Sequence, residues 1–449
     1  MSEISQSLKV DTSLKAILLL AVPISLSKFI PEVNYLINAS FLGHLGTVEL
    51  AALGITGVYY LIFGAIGYGM NSAILSIMSR KAGEENRTEM RSYLGHGMLL
   101  SVGLAIAAIL LTYSLFRPFL HLINLNEHVI DLSSDFIHIR IFGLLFMYAL
   151  NIQISYLISM QRTNFLIAIA LIESTVNVAL DYGLIFGNFG LPRLGFTGAA
   201  WASVIAEIVG LLTVYIILRV SVKEKMYDFK VSYEKLKTAL KLGFPLMSQY
   251  AISTGSWWIF FLMISRQYSV TDQAISQVMR NFFGLSGVFT WAFGSATNTI
   301  VSNLIGQGRE EQIFPILKKI QSISLGGVLI YLLCVNIFSS SFLTVFGQGV
   351  DFVDGALTPM RIVSLAIIIQ TFGVIWLNGV VATGMTKLVF WIEFAGILAY
   401  LVYIYIVIDV LRLPFPIAWM SEWLYWTVMV GLSVWYLKRG NWRQGLNFY

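Results

Sequence analysis

One cysteine in 449 residues, Cys334, excludes an intrachain disulfide and any site built on paired thiolates. Charge is scarce as well: 12% of the residues are Asp, Glu, Lys or Arg, about half the share of an ordinary soluble domain. No G-x-x-x-x-G-K-[ST] phosphate loop occurs, which argues against ATP hydrolysis by this chain. The five histidines are scattered and no metal-ligand cluster or nucleophile elbow stands out, so neither a metal cofactor nor an enzyme is expected. The polar start MSEISQSLKVDTSLK leads into an apolar stretch with no small-residue cleavage site, so the first span is expected to stay.

What is abundant is apolar sequence, at 57% of residues. Stretches of about 20 such residues, enough to cross a hydrocarbon core about 30 Å thick, recur along the chain. They predict an all-α polytopic membrane protein with about twelve transmembrane helices, over 14–42, 50–78, 92–115, 132–159, 164–187, 195–219, 243–265, 271–305, 320–346, 357–383, 387–410 and 414–437. The net charge of +5 does not mark a nucleic-acid binder, because the basic residues fall at one set of helix ends. With the N-terminus inside, Arg80, Lys81, Arg87, Arg91, Arg219, Lys223, Lys225, Lys230, Lys235 and others are cytoplasmic. The outer loops keep only Arg117, Arg193, Arg266 and Arg412. That asymmetry predicts a plasma-membrane protein with both termini cytoplasmic.

The chain also repeats itself. GYGMNSAILSIMSRKAGEE from Gly67 has a counterpart in FGSATNTIVSNLIGQGREE from Phe293, so that Gly69 and Gly83 correspond to Gly294 and Gly308. Pro23 matches Pro245, and Arg140 of IHIRIFG has a partner in Arg361 of TPMRIVS. The offset of about 222 to 225 residues reads as a duplication of six helices. It predicts an N-lobe over 1–220, a basic linker over 221–241 and a C-lobe over 242–449. An even number of helices per half keeps both six-helix bundles in one orientation, related by a pseudo-two-fold axis along the membrane normal, with a cleft between them as the natural site.

Several of these segments resemble the multidrug and toxic compound extrusion (MATE) family, within the superfamily that also holds lipid-linked oligosaccharide flippases. The likeness rests on VPISLSKFIPEVNYLINASFLGHLGTVELAALG from Val22, the glycine-turn pair, NVALDYGLIFG from Asn177 and LGFTGAAWASVIAEIVGLL from Leu194. It implies a secondary-active exporter driven by a proton or sodium gradient. By the resemblance, Asn177 and Asp181 match the family's N-lobe cation site, whose other carboxylate normally stands three residues before Phe-x-Gly in span 1. Here that position is Asn38, which cannot ionise. The glutamate that one branch carries in span 7 falls near Ser253, which carries no charge either.

Ionisable residues inside a membrane are functional candidates by default. Asp181 and Asn177 share a helix face four residues apart and suit a cation or proton site; the alternative is a carboxylate near a helix end that reaches water unaided. Lys28 and Glu32 stand one turn apart in span 1, beside Pro31, and can pair there as a coupling element or as a structural pair at a kink. Arg280, in span 8, needs a carboxylate, with Asp181, Glu32, Glu173 and Glu207 as candidates. It either faces a substrate cavity or forms a structural bridge between lobes. Trp257 and Trp258 can line a drug pocket, although packing or lipid contact is favoured.

The expected function is export of a small organic molecule coupled to H⁺ or Na⁺ through Asp181, by a monomer embedded in the lipid bilayer without ATP or nucleic acid. The alternatives are a flippase of a lipid-linked precursor, using Arg280 and Lys28 to hold phosphate, and, less well supported, a polytopic membrane enzyme.

Overall fold

The computed structural model describes residues 7–122, 126–223, 230–344, 349–440 and 442–443; Lys225 of the expected linker lies outside them. All regular structure among the described residues is helical. The first half contains α1 (Leu14–Gly43), α2 (Thr47–Gly83), α3 (Arg87–Leu122), α4 (Glu127–Arg140), α5 (Gly143–Ser159), α6 (Asn164–Phe186) and α7 (Phe196–Ile216). The second contains α8 (Tyr233–Gln267), α9 (Val270–Gly306), α10 (Ile313–Ile337), α11 (Ser339–Thr344), α12 (Val350–Ala382), α13 (Thr386–Ile404), α14 (Phe415–Ala418) and α15 (Ser421–Arg439).

Among the described residues, eight helices are long and apolar enough to span a membrane, and α4 with α5, bent by 41°, makes a ninth. The longer but more polar α8 and α9, with α15, complete twelve. Large side chains such as Leu110, Leu115 and Ile330 are 63%, 56% and 67% exposed. Helices that are apolar all round need lipid on the outside, because water would not tolerate so much exposed hydrocarbon.

The fourth span is not the continuous helix expected over 132–159. At Arg140 the helix ends, and Phe142 N–H reaches back to Ile139 O at 3.2 Å, tightening the turn before α5 begins at Gly143. The break places Arg140 at a bend, where its side chain turns inward.

Contacts divide the chain into two units: Met1–Lys9 with Leu18–Met247, and Val10–Ile17 with Ser248–Tyr449. Part of the segment read as linker is the start of α8, and it packs on α3. Lys235 Nζ bonds Glu89 Oε1 at 2.9 Å and Ser92 Oγ at 2.8 Å. Ser232 N–H donates to His96 Nε2 at 2.9 Å.

The LGFTGAA motif explains how α6 and α7 approach so closely. Gly187 caps α6 in the left-handed region at φ 81° and Gly195 turns the chain at φ 60°. A Cβ on Gly198 would fall 2.7 Å from Leu184 O, so α7 rests its backbone on α6. Leu194 N–H closes the connection onto Leu184 O at 2.7 Å. Asp181 lies one turn before this seam, held on the last rigid turns of α6.

Candidate functional site

Asp181 is fully buried, and its Oδ1 has no hydrogen-bond partner among the described residues. One turn earlier Asn177, 4% exposed, accepts from Asn34 Nδ2 of α1 at 2.7 Å. Turned over, the Asn177 amide would instead donate to Asp181 Oδ2 at 3.3 Å and to Asn34 Oδ1 at 3.2 Å, and accept from Ser203 N at 3.2 Å. The carboxamide thus lies within hydrogen-bond reach of both Asn34 and Asp181.

Spans one and five run in the same direction, so the pairing of Asn34 with Asn177 sets a register. The next turn brings Asn38 to the level of Asp181. Asn38 Oδ1 is also buried without a donor. Asp181 Oδ1 and Asn38 Oδ1 are thus each a buried oxygen acceptor without a donor, and a carboxylate so placed would gain from a proton or a hard monovalent cation.

The second charge cluster in the same unit was not anticipated. Arg140 makes a bidentate pair with Glu207 of α7, Nη2 to Oε1 at 2.7 Å and Nη1 to Oε2 at 3.0 Å. Tyr60 of α2 donates its hydroxyl to Glu207 Oε1 at 3.2 Å and lies beneath the guanidinium, 3.8 Å from ring centre to Cζ. The two side chains are 15% and 7% exposed, so the pair is largely desolvated.

Gly143 makes room for this pair, because a Cβ there would collide with Glu207 Oε2 and Arg140 Nη1. Gly143→Ala is expected to lower stability by about 1–3 kcal/mol through overpacking. The check is the thermal midpoint of the purified protein; an unchanged midpoint would show that the pair can move aside at no cost.

Other expected site residues fall elsewhere. Glu207 is engaged by Arg140 within its own unit. Arg280 is exposed, has no carboxylate partner among the described residues of its own unit, and stands 5.8 Å from the Phe261 ring centre. An aromatic face and outward reach satisfy this guanidinium where an ion pair was expected. Lys28 turns to Tyr68, donating to its hydroxyl at 3.3 Å and lying 4.7 Å from the ring centre. Glu32 is exposed, and its spacing from Asn34 and Asn38 puts it on another face of α1, away from Asp181. Trp257 packs on Phe283, Phe261 and Trp419 with ring centres 5.5, 6.0 and 6.4 Å apart, while Trp258 is 57% exposed. Ser253 belongs to the second unit, where its side chain lies against Glu393 and Tyr425.

Asn34 and Arg140 were the residues missed. A signal for Asn34 was present, since it stands four residues before Asn38 as Asn177 does before Asp181. Arg140 was visible as a repeat landmark, but nothing in its own helix names Glu207.

Comparison with known proteins agrees with this architecture. The probable multidrug resistance protein NorM of Bacillus anthracis is 25% identical over 303 residues, 66% of each chain, a little under two thirds of the relative's own length. A transporter of the MOP superfamily from Pyrococcus furiosus Vc1, described as having a binding pocket of reversed polarity, superposes with a TM-score of 0.88 at 17% identity over 98% of both chains. An outward-facing multidrug resistance MATE family transporter gives 0.89 at 16% identity, over 99% of both chains. The MatE family model matches twice, at residues 23–183 and 245–406, an offset equal to the distance from Pro23 to Pro245. With both halves matched and most of its length covered, the chain belongs to the MatE family.

Proposed function

We propose that this protein exports small organic molecules across the plasma membrane, driven by a proton or sodium gradient and coupled through Asp181. The family is one of multi-pass membrane transporters, and the relatives' descriptions point to transport and not to catalysis. The observation that carries the coupling role is the pair of buried oxygens without donors, Asp181 Oδ1 and Asn38 Oδ1. A carboxylate in that setting is costly while charged and bare, so gaining or losing a positive charge changes the free energy of the packing around it. Asn177 links the charge to its neighbours. Its carboxamide lies within hydrogen-bond reach of both Asn34 and Asp181. Asn34, Asn38, Asn177 and Asp181 present only oxygen and amide groups, a donor set that suits either H⁺ on the carboxylate or Na⁺ among the oxygens.

Both termini face the cytoplasm in this reading, from the basic asymmetry of the loops, and the working unit is a monomer. Lys28 and Arg280, which a phosphate-binding flippase would require, each lie against an aromatic ring.

The test uses the full chain in everted vesicles loaded with an imposed gradient, with ethidium as the probe. Ethidium is expected to accumulate only while a proton or sodium gradient stands, and to leak out when nigericin or monensin collapses it. Uptake indifferent to both gradients would overturn the coupling.

A further inference from the structure

We propose that residues 10–13 occupy a peptide-recognition site built into the second unit at the C-terminal end of α9, and that they leave it and return in each transport cycle. This rests on the reading of the protein as a transporter and on nothing assigned to Asp181.

A stretch near a chain terminus frays unless something ties it down. This one is tied by its backbone. Val10 is 3% exposed, and side chains of the second unit take both of its main-chain groups. Asn303 Oδ1 accepts from the Val10 N–H at 2.9 Å, and Gln307 Nε2 donates to the Val10 carbonyl at 3.4 Å. Two residues on, Lys319 Nζ of α10 donates to Thr12 O at 2.7 Å. Two carboxamides one turn apart thus read a single residue through its N–H and C=O, as a neighbouring strand would, which is a general way of holding an extended peptide.

The receiving groups are set in advance. Arg309 Nη1 donates to Gln307 Oε1 at 2.9 Å, which leaves Gln307 Nε2 to face Val10 O and Asn303 Oδ1, the latter at 2.7 Å. Gly308, in the left-handed region at φ 69°, makes the turn that brings Arg309 back onto Gln307. The internal repeat supplies a comparison. At the offset that pairs Gly83 with Gly308, the residues matching Asn303, Gln307 and Arg309 are Met78, Ala82 and Glu84. Met78 and Ala82 offer no amide to a peptide, so the carboxamide pair is not something the shared helix turn requires.

The docked stretch is also a detour in the chain. Lys9 groups with the first unit, residues 10–17 with the second, and Leu18 with the first again. Leu8 O accepts from Gln161 Nε2 at 3.1 Å and Leu19 O accepts from Thr163 Oγ1 at 2.8 Å, both in the first unit. A short stretch anchored at both ends to one unit and docked in the middle on the other opposes any movement of one unit against the other. Alternating access needs such a movement, so the central dock is the part that lets go.

Hydrogen exchange of the full chain in nanodiscs reads the dock. Residues 8–13 are expected to exchange slowly in wild type and about tenfold or more faster in Asn303→Leu, which keeps the side chain's size and loses the acceptor. Val10→Pro deletes the N–H, leaves the second unit untouched and should speed the remaining amides in the same way, so it decides the matter if Asn303→Leu does not fold. Fast exchange in wild type, or protection that survives these changes, would overturn the site. Release is read in everted vesicles with Thr12→Cys/Lys319→Cys in a Cys334→Ala background, the two thiols being joined by a short bis-methanethiosulfonate. Ethidium uptake is expected to stop on cross-linking and to return on reduction. Uptake indifferent to the cross-link, or thiols that cannot be joined, would sink the proposal. Should the protein move no ethidium even before cross-linking, the proposed function is what fails, and slow exchange abolished by the variants still supports the site.

Discussion

Asp181→Asn is expected to remove gradient-driven ethidium accumulation while leaving the protein folded. Asparagine matches aspartate in shape, and a neutral amide costs less to bury in this fully buried place than a charged carboxylate, so the thermal midpoint should hold or rise. What is lost is the group whose charge can change. A coupling free energy of roughly 1–3 kcal/mol corresponds to about a 5- to 150-fold loss of gradient dependence. The pH profile of uptake should flatten in the same variant. Uptake and pH dependence like those of wild type would remove Asp181 from the mechanism.

Arg140→Met is expected to be the most destabilising single change in the first unit. It leaves Glu207 buried and charged at 7% exposure, with the Tyr60 hydroxyl as its remaining side-chain donor among the described residues. Removing one partner from a buried bidentate pair costs about 3–5 kcal/mol, whereas replacing both by neutral side chains of similar volume is often close to neutral. Arg140→Met/Glu207→Gln should therefore recover most of the lost thermal midpoint. The recovery, seen as non-additivity in a double-mutant cycle, separates the pair from general damage at the α4–α5 bend. If the two single losses simply add, the 2.7 and 3.0 Å contacts carry little energy and the bend is held by other packing.

Much of the architecture was legible from composition. Lipid leaves a chain few ways to satisfy its backbone, and helices do so locally, so runs of apolar residues mark the spans directly. The break at Arg140 was not legible, because Ile141 and Phe142 are as apolar as the helices around them. The site was legible in part for the same reason. Asn177 and Asp181 share one helix, and their spacing already puts them on one face, whereas nothing in span 1 announced that Lys28 meets a tyrosine from the next helix.

The sequence by itself determined that this is a duplicated, all-helical membrane protein with an acid deep in its fifth span, since each of these follows from local periodicity, loop charge or repetition along one chain. Only the tertiary structure decided which charges meet. Arg140 and Glu207 are 67 residues apart, and Gln249 and Glu393 are 144 apart. No periodicity encodes such pairs; they are chosen by which helix faces pack together and by the cost of leaving a buried charge without a partner.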